Sequence, residues 1–252
     1  MFTTRCDCAR PDERSWTCFF ANLPVVTYVI MGICLFAFLV ELAAGGLDPE
    51  PQVLYALGGF VAPDLPDGVY WRMLSSSFLH GGLLHLVMNM LCLYQLGRVF
   101  ERLAGNAAMA FAFLVSALFG AVACALAYPP NIVCVGASGG VFGLAGALIA
   151  FLLVGGMGFA SARSCLSFVG INLLLSLTPG ISMAAHLGGL LAGALFGLLL
   201  GWVWRSCLAA GPAGARRYRF IFNPLVWALV ALTLLVLLGS FLHDITWMET
   251  LP

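Results

Sequence analysis

AAHLGGLLAGALFGLLLGWVW, residues 184–204, is an apolar run interrupted by a single ionisable side chain, His186. At about 1.5 Å per residue such a helix crosses the roughly 30 Å hydrocarbon core of a bilayer. Within it Gly189, Gly193, Gly197 and Gly201 recur every fourth residue. That spacing cuts a groove of small residues along one face, the kind that lets a second helix approach closely in lipid. His186 precedes Gly189 by three and Gly193 by seven, so it belongs to the same face.

Six more apolar stretches accompany this one: Leu23–Ala44, Leu84–Phe100, Ala107–Tyr128, Gly136–Gly155, Cys165–Leu177 and Pro224–Phe241. The fifth span is diluted by Ser167, Asn172 and Ser176. Over the 252 residues 62% are apolar and 9% charged, against roughly 45–50% and about 25% in a soluble domain. A water-soluble fold could not hide that much apolar surface, so an all-α polytopic membrane bundle is expected. Net charge is zero, with 11 acidic residues against 11 basic ones, all of them Arg and none in a dense block, which excludes nucleic acid as a partner.

Ten of the eleven arginines fall on one side of the seven spans: Arg5, Arg10, Arg14, Arg98, Arg102, Arg163, Arg205, Arg216, Arg217 and Arg219. Arg72 alone falls on the other. By the positive-inside rule the N-terminus is expected in the cytoplasm and the C-terminus outside. The 22 residues before the first span read as a cytoplasmic segment, not a secretory signal. The outer face then receives residues 45–79, a long connection without strong helical period, which suggests a functional loop.

Nine cysteines are scattered, mostly inside apolar runs where a thiol behaves as a small hydrophobe. Cys6, Cys8 and Cys18 lack a fourth ligand and a paired C-x-x-C, so neither a metal nor another cofactor is expected. A metalloprotease is excluded by the absence of H-E-x-x-H, because His80 and His85 are poorly spaced for zinc.

The chemistry is carried by polar residues where lipid is expected: His85 and Asn89 in the second span, Ser138 at the head of the fourth, and His186 in the sixth. His85 and Asn89, four apart, share a helix face. Counting to the cytoplasmic ends, His85 lies 17 residues from Arg102, Ser138 17 from Gly155 and His186 19 from Arg205. The three are thus compatible with one depth, toward the outer side. The fourth span has its own small stripe, Gly139, Gly143 and Gly146; if it meets the glycine face of the sixth, His186 is carried against Ser138.

A serine beside a histidine has the parts for acyl transfer, with Ser138 as nucleophile and His186 as general base. Gly136, Gly139 and Gly140 would let backbone approach a substrate carbonyl, and His85 and Asn89 would donate to the oxyanion. No Asp or Glu occurs between residues 103 and 243, so a Ser/His dyad is the economical arrangement. Each residue has a plainer reading: Ser138 as a small packing residue, His85 and Asn89 as an interhelical hydrogen-bonding pair. His80 reads as structural at a loop-to-helix junction, His243 as a solvated terminal residue, and Trp71 with Arg72 as an anchor of the loop at the interface.

Four pieces, taken in order and spacing, resemble the rhomboid intramembrane serine proteases: Trp71-Arg72, HGGLLHLVMN from His80 to Asn89, GASGGVFGLAGA from Gly136 to Ala147, and AHLGGLLAG from Ala185 to Gly193. The resemblance implies a six-helix catalytic core over residues 23–205, followed by a cytoplasmic linker at 206–223 and an additional helix with an outer C-terminus over 224–252. It implies Ser138 as nucleophile, His186 as base, and His85 and Asn89 with the Ser138 backbone as oxyanion hole. The fourth helix would start below the outer surface, the first loop would lie partly in the membrane, and a short cap would cover the site between spans five and six. Thr178 to Ser182, with Pro179 and Gly180, fits that cap and is expected to move.

Phe142 stands where some relatives carry a Tyr stacked on the catalytic histidine; the packing role survives that change, a hydroxyl contact does not. Gly136, Gly139, Phe142, Gly189 and Gly193 are expected to support the site. Substrates implied are single-span membrane proteins cut near the outer bilayer edge, and the composition suggests a bacterial inner membrane. A non-proteolytic chaperone, scaffold or transporter on the same fold is the alternative. Such a relative would be expected to lack the nucleophile or the base, and this chain keeps both.

Overall fold

A computed structural model describes residues 23–178, 180–210 and 223–248. Among these the chain is helical apart from turns and an isolated antiparallel bridge between Phe60 and Cys134. The seven spans are realised as α1 (Val25–Gly45), α4 (Leu83–Ala104), α5 (Asn106–Ala127), α6 (Ser138–Val154), α7 (Phe159–Leu175), α8 (Met183–Ala209) and α9 (Asn223–Met248). Five of them are long and apolar enough to cross a membrane, while α6 and α7 are apolar helices of 17 residues each. Several helices outrun their apolar stretch: α4 continues past Phe100 to Ala104 and α8 past Trp204 to Ala209. Arg102 and Arg205 permit this, since arginine is a good helix former whose head can reach the interface while its stem stays on the helix.

The connection over residues 45–79 is more ordered than its lack of period suggests. It holds α2 (Pro51–Ala56), α3 (Trp71–Ser75) and two 3₁₀ turns, Ala62–Asp64 and Ser76–Phe78. These pieces are too short for a periodic pattern to register; Pro51 sits at the start of α2, where its missing N–H costs nothing.

The core forms around α6, which buries Gly139 to Leu148 without a break and so is enclosed on every side. Its closest neighbour is α8. A Cβ on Gly189 would meet the carbonyl oxygen of Gly139, one on Gly193 that of Gly143, and one on Gly197 that of Ala147, all closer than atoms approach. The two glycine faces therefore meet backbone to backbone, as the four-residue spacing predicts.

Two carboxylates fasten α1. Glu101 of α4, only 3% exposed, accepts the N–H groups of Val26 and Thr27 at 2.8 Å each and the Thr27 hydroxyl at 2.7 Å. It thus caps a helix start whose donors have no partner in their own helix. At the other end Glu41 accepts the His80 N–H at 2.9 Å.

The last helix docks on the bundle and on the connection over residues 45–79. Val230 and Leu237 pack with Leu114 of α5 and Leu74 of α3. Ser240 accepts the Tyr70 N–H at 2.8 Å and donates to the Gly68 carbonyl at 2.6 Å, Asp244 accepts the Trp71 indole N–H at 3.1 Å, and Phe241 meets the Trp71 ring edge-on at 5.1 Å.

Candidate active site

His186 lies in the first turn of α8, 6% exposed. Ser182 caps that turn by accepting the Ala185 N–H at 3.1 Å, and its hydroxyl also lies 3.1 Å from the Cys124 sulfur of α5. The His186 ring is stacked on Phe142, with centroids 4.1 Å apart and planes 13° from parallel. Phe142 stands one helical turn after Ser138 on the same face. The Gly139 carbonyl rests on Gly189, and a Cβ at Gly139 would stand 3.6 Å from the Ala185 carbonyl. The turn that begins with Ser138 and the turn that carries His186 are thus in backbone contact. Among the described residues no hydrogen bond joins Ser138 to His186; the His186 Nδ1 is instead 2.6 Å from the Ser176 hydroxyl. Catalytic hydrogen bonds are often long in a free enzyme and tighten once substrate is bound.

On the other side of Ser138 the backbone turns at Gly136, whose φ of +121° and lack of space both require glycine. A Cβ there would stand 2.6 Å from Cε1 of His85. The His85 ring therefore lies directly on the strand of backbone leading to Ser138, and the Gly136 N–H is tied to the Ser76 carbonyl at 2.9 Å. Asn89, one turn along α4, is buried and donates to the His85 carbonyl at 3.0 Å. Gly140 serves packing, not approach to a carbonyl: a Cβ on it would stand 2.5 Å from the Phe113 ring.

Ser138 is the first residue of α6, and no side chain caps that helix start. The first-turn N–H groups and the positive end of the helix dipole are then available to an anion. Beside it opens a cleft of about 40 Å³, lined among others by Ser76, Ser77, Cys124, Gly136, Ser182 and Ala185. That is room for more than one water.

His80 is fully buried in the turn before α4, with Nδ1 3.2 Å from the Phe78 carbonyl and its ring edge-on to His85 at 5.2 Å. Burial pushes its imidazole down to about 3, His85 adds to that, and the Phe78 hydrogen bond opposes it. A neutral, packed ring suits the structural role read for it. Arg72 donates to the carbonyls of Tyr55 and Gly59 at 2.6 and 3.2 Å and lies over the Tyr55 and Trp71 rings, so it holds the connection over residues 45–79 together. His243 is exposed near the end of α9. Cys6, Cys8, Cys18 and Pro179 lie outside the described residues.

Sequence reasoning missed Ser176 and Ser182. Ser176 registered as a polar dilution of the fifth span, although a hydroxyl in a span is itself a signal of a buried polar partner.

A family model of the rhomboid domain matches residues 67–203. The chain is 34% identical over 208 residues to RHOMBOID-like protein 4 of Arabidopsis thaliana, covering 78% of this chain and 51% of that protein. It is 33% identical over 192 residues to RHOMBOID-like protein 6, mitochondrial, of the same plant, covering 73% and 62%. With Rhomboid protease GluP of Bacillus subtilis it shares 29% over 189 residues, 71% of this chain and 35% of that one. The chain spans about half the length of the curated relatives it matches.

Proposed function

Because the chain belongs to the rhomboid family, we propose that it is an intramembrane serine endopeptidase that cleaves single-span membrane proteins near the outer edge of the bilayer. The observation that carries this reading is the contact of two helix turns, one opened by Ser138 and the other bearing His186, locked by the flat Phe142–His186 stack. In the cleavage, Ser138 Oγ attacks the scissile carbonyl carbon while its proton passes to His186 Nε2. The oxyanion accepts from the Ser138 N–H at the uncapped start of α6 and from Asn89 and His85 of α4. Collapse breaks the C–N bond, with the His186 proton going to the departing amine. Water from the cleft then hydrolyses the acyl-enzyme by the same proton path.

The full-length chain, incubated with a generic single-span substrate, is expected to cleave it, and Ser138→Ala and His186→Ala are each expected to abolish cleavage without altering insertion. A fluorophosphonate should label Ser138. Cleavage by the Ser138→Ala variant at the wild-type rate would defeat the assignment. A stable, inserted wild type that neither cleaves nor is labelled would favour the chaperone or scaffold reading.

The multi-pass chain is proposed to sit with its N-terminus in the cytoplasm, supported by the arginine distribution. A reporter after Pro252 should then appear outside and one at Ala213 inside; both on one side would remove α9 as a crossing helix. For a bacterial inner membrane the support is the composition alone, since the relatives come from a plant as well as a bacterium.

A further inference from the structure

The polar contact that orients His186 comes from outside the dyad. Ser176, the residue after α7, is 4% exposed, and its hydroxyl oxygen lies 2.6 Å from His186 Nδ1 and 2.7 Å from the carbonyl oxygen of Asn172. A hydroxyl has one proton to give. The Asn172 carbonyl can only accept, so the proton lies between the two oxygens; turned toward the ring, it would leave two lone-pair-bearing oxygens facing each other at 2.7 Å with nothing between them. The Ser176 oxygen is then an acceptor toward His186, and Nδ1 carries the proton. In a neutral imidazole this puts the lone pair on Nε2.

We propose that Ser176 is a positioning residue that holds His186 in the Nδ1–H tautomer, so that the free nitrogen is the one presented as base. The inference rests on the reading of Ser138 and His186 as a dyad. Its physical advantage is the absence of charge. After Glu101 the next acidic residue is Asp244, and a carboxylate buried beside His186 would carry a large desolvation cost in this setting. A relay from Nδ1–H to hydroxyl to backbone carbonyl orients the ring with neutral groups, and the Nδ1–H bond strengthens when the imidazolium forms. Ser176 also opens the short connection into α8, whose far end Ser182 secures. Displacement of the near end would therefore release the base.

The test is ¹⁵N NMR of the full-length, ¹⁵N-histidine-labelled chain in lipid nanodiscs near neutral pH. The four histidines are few enough for the His186 signals to be identified by their loss in His186→Gln. The wild type is expected to show His186 protonated at Nδ1 and bare at Nε2. In Ser176→Ala the pattern should move toward the other tautomer and kcat should fall by about tenfold to a hundredfold with KM unchanged, the range of a mis-set general base. Ser176→Thr, which keeps the hydroxyl, should restore both. A wild-type His186 protonated at Nε2 overturns the proposal without any variant, as does a Ser176→Ala chain with unchanged tautomer and kcat. If Ser138→Ala cleaves like wild type, the dyad fails instead, while the NMR signals still decide what Ser176 does to the ring.

Discussion

The Asn89 amide has two N–H donors and spends one on the His85 carbonyl at 3.0 Å, inside its own helix. That bond fixes the amide plane and leaves the second donor for a ligand, an arrangement suited to stabilising a transition state without binding the ground state. Asn89→Ala is therefore expected to lower kcat by roughly tenfold to several hundredfold with little change in KM. Steady-state cleavage of a single-span substrate would read this, and a change confined to KM would make Asn89 a substrate-positioning residue. His85 and Asn89 were legible as a pair because four residues make one turn. Ser176 was not, because its partner is ten residues away across a chain reversal, and no helical period links the two.

At the scale of elements, the site depends on how closely α6 and α8 approach. With Gly193 set against the Gly143 carbonyl, even one methyl group forces the helices apart. Gly193→Ala is expected to cost on the order of 1–3 kcal/mol, the usual range for overpacking, seen as a lower thermal unfolding temperature in detergent. Since Phe142 and His186 face each other across this seam, cleavage should fall with it. An unchanged midpoint with full activity would show that the seam can relax. Gly32 in α1, where a Cβ would meet nothing within 4 Å, serves as the control site, and Gly32→Ala should be tolerated. The glycine spacing announced a close-packed face, yet the partner face and the register of Gly189 on Gly139 required both helices in place.

For the whole molecule, α9 is a brace on the connection over residues 45–79. Ser240, Phe241 and Asp244 hold Gly68, Tyr70 and Trp71 at the start of α3, which leads into the 3₁₀ turn whose Ser76 carbonyl ties down Gly136 beside the candidate nucleophile. Ser240→Val removes an acceptor and a donor at once, and hydrogen exchange should then quicken at Tyr70 while α4 to α6 keep their protection. Equal protection at Tyr70 would mean that the connection stands without α9. By itself the sequence determined the solvent, the seven helices and the polar residues they carry, because lipid admits only long apolar segments with their backbone bonds satisfied internally, and an ionisable group inside one stands out. Tertiary structure alone decided that Glu101 caps α1, that Gly136 is shaped around His85, that α9 grips the first connection and that Ser176 orients His186. Each of those is a contact between residues with no periodic relation: Gly136 against His85 is a fit of shape, and the others pair polar groups that the bundle buries.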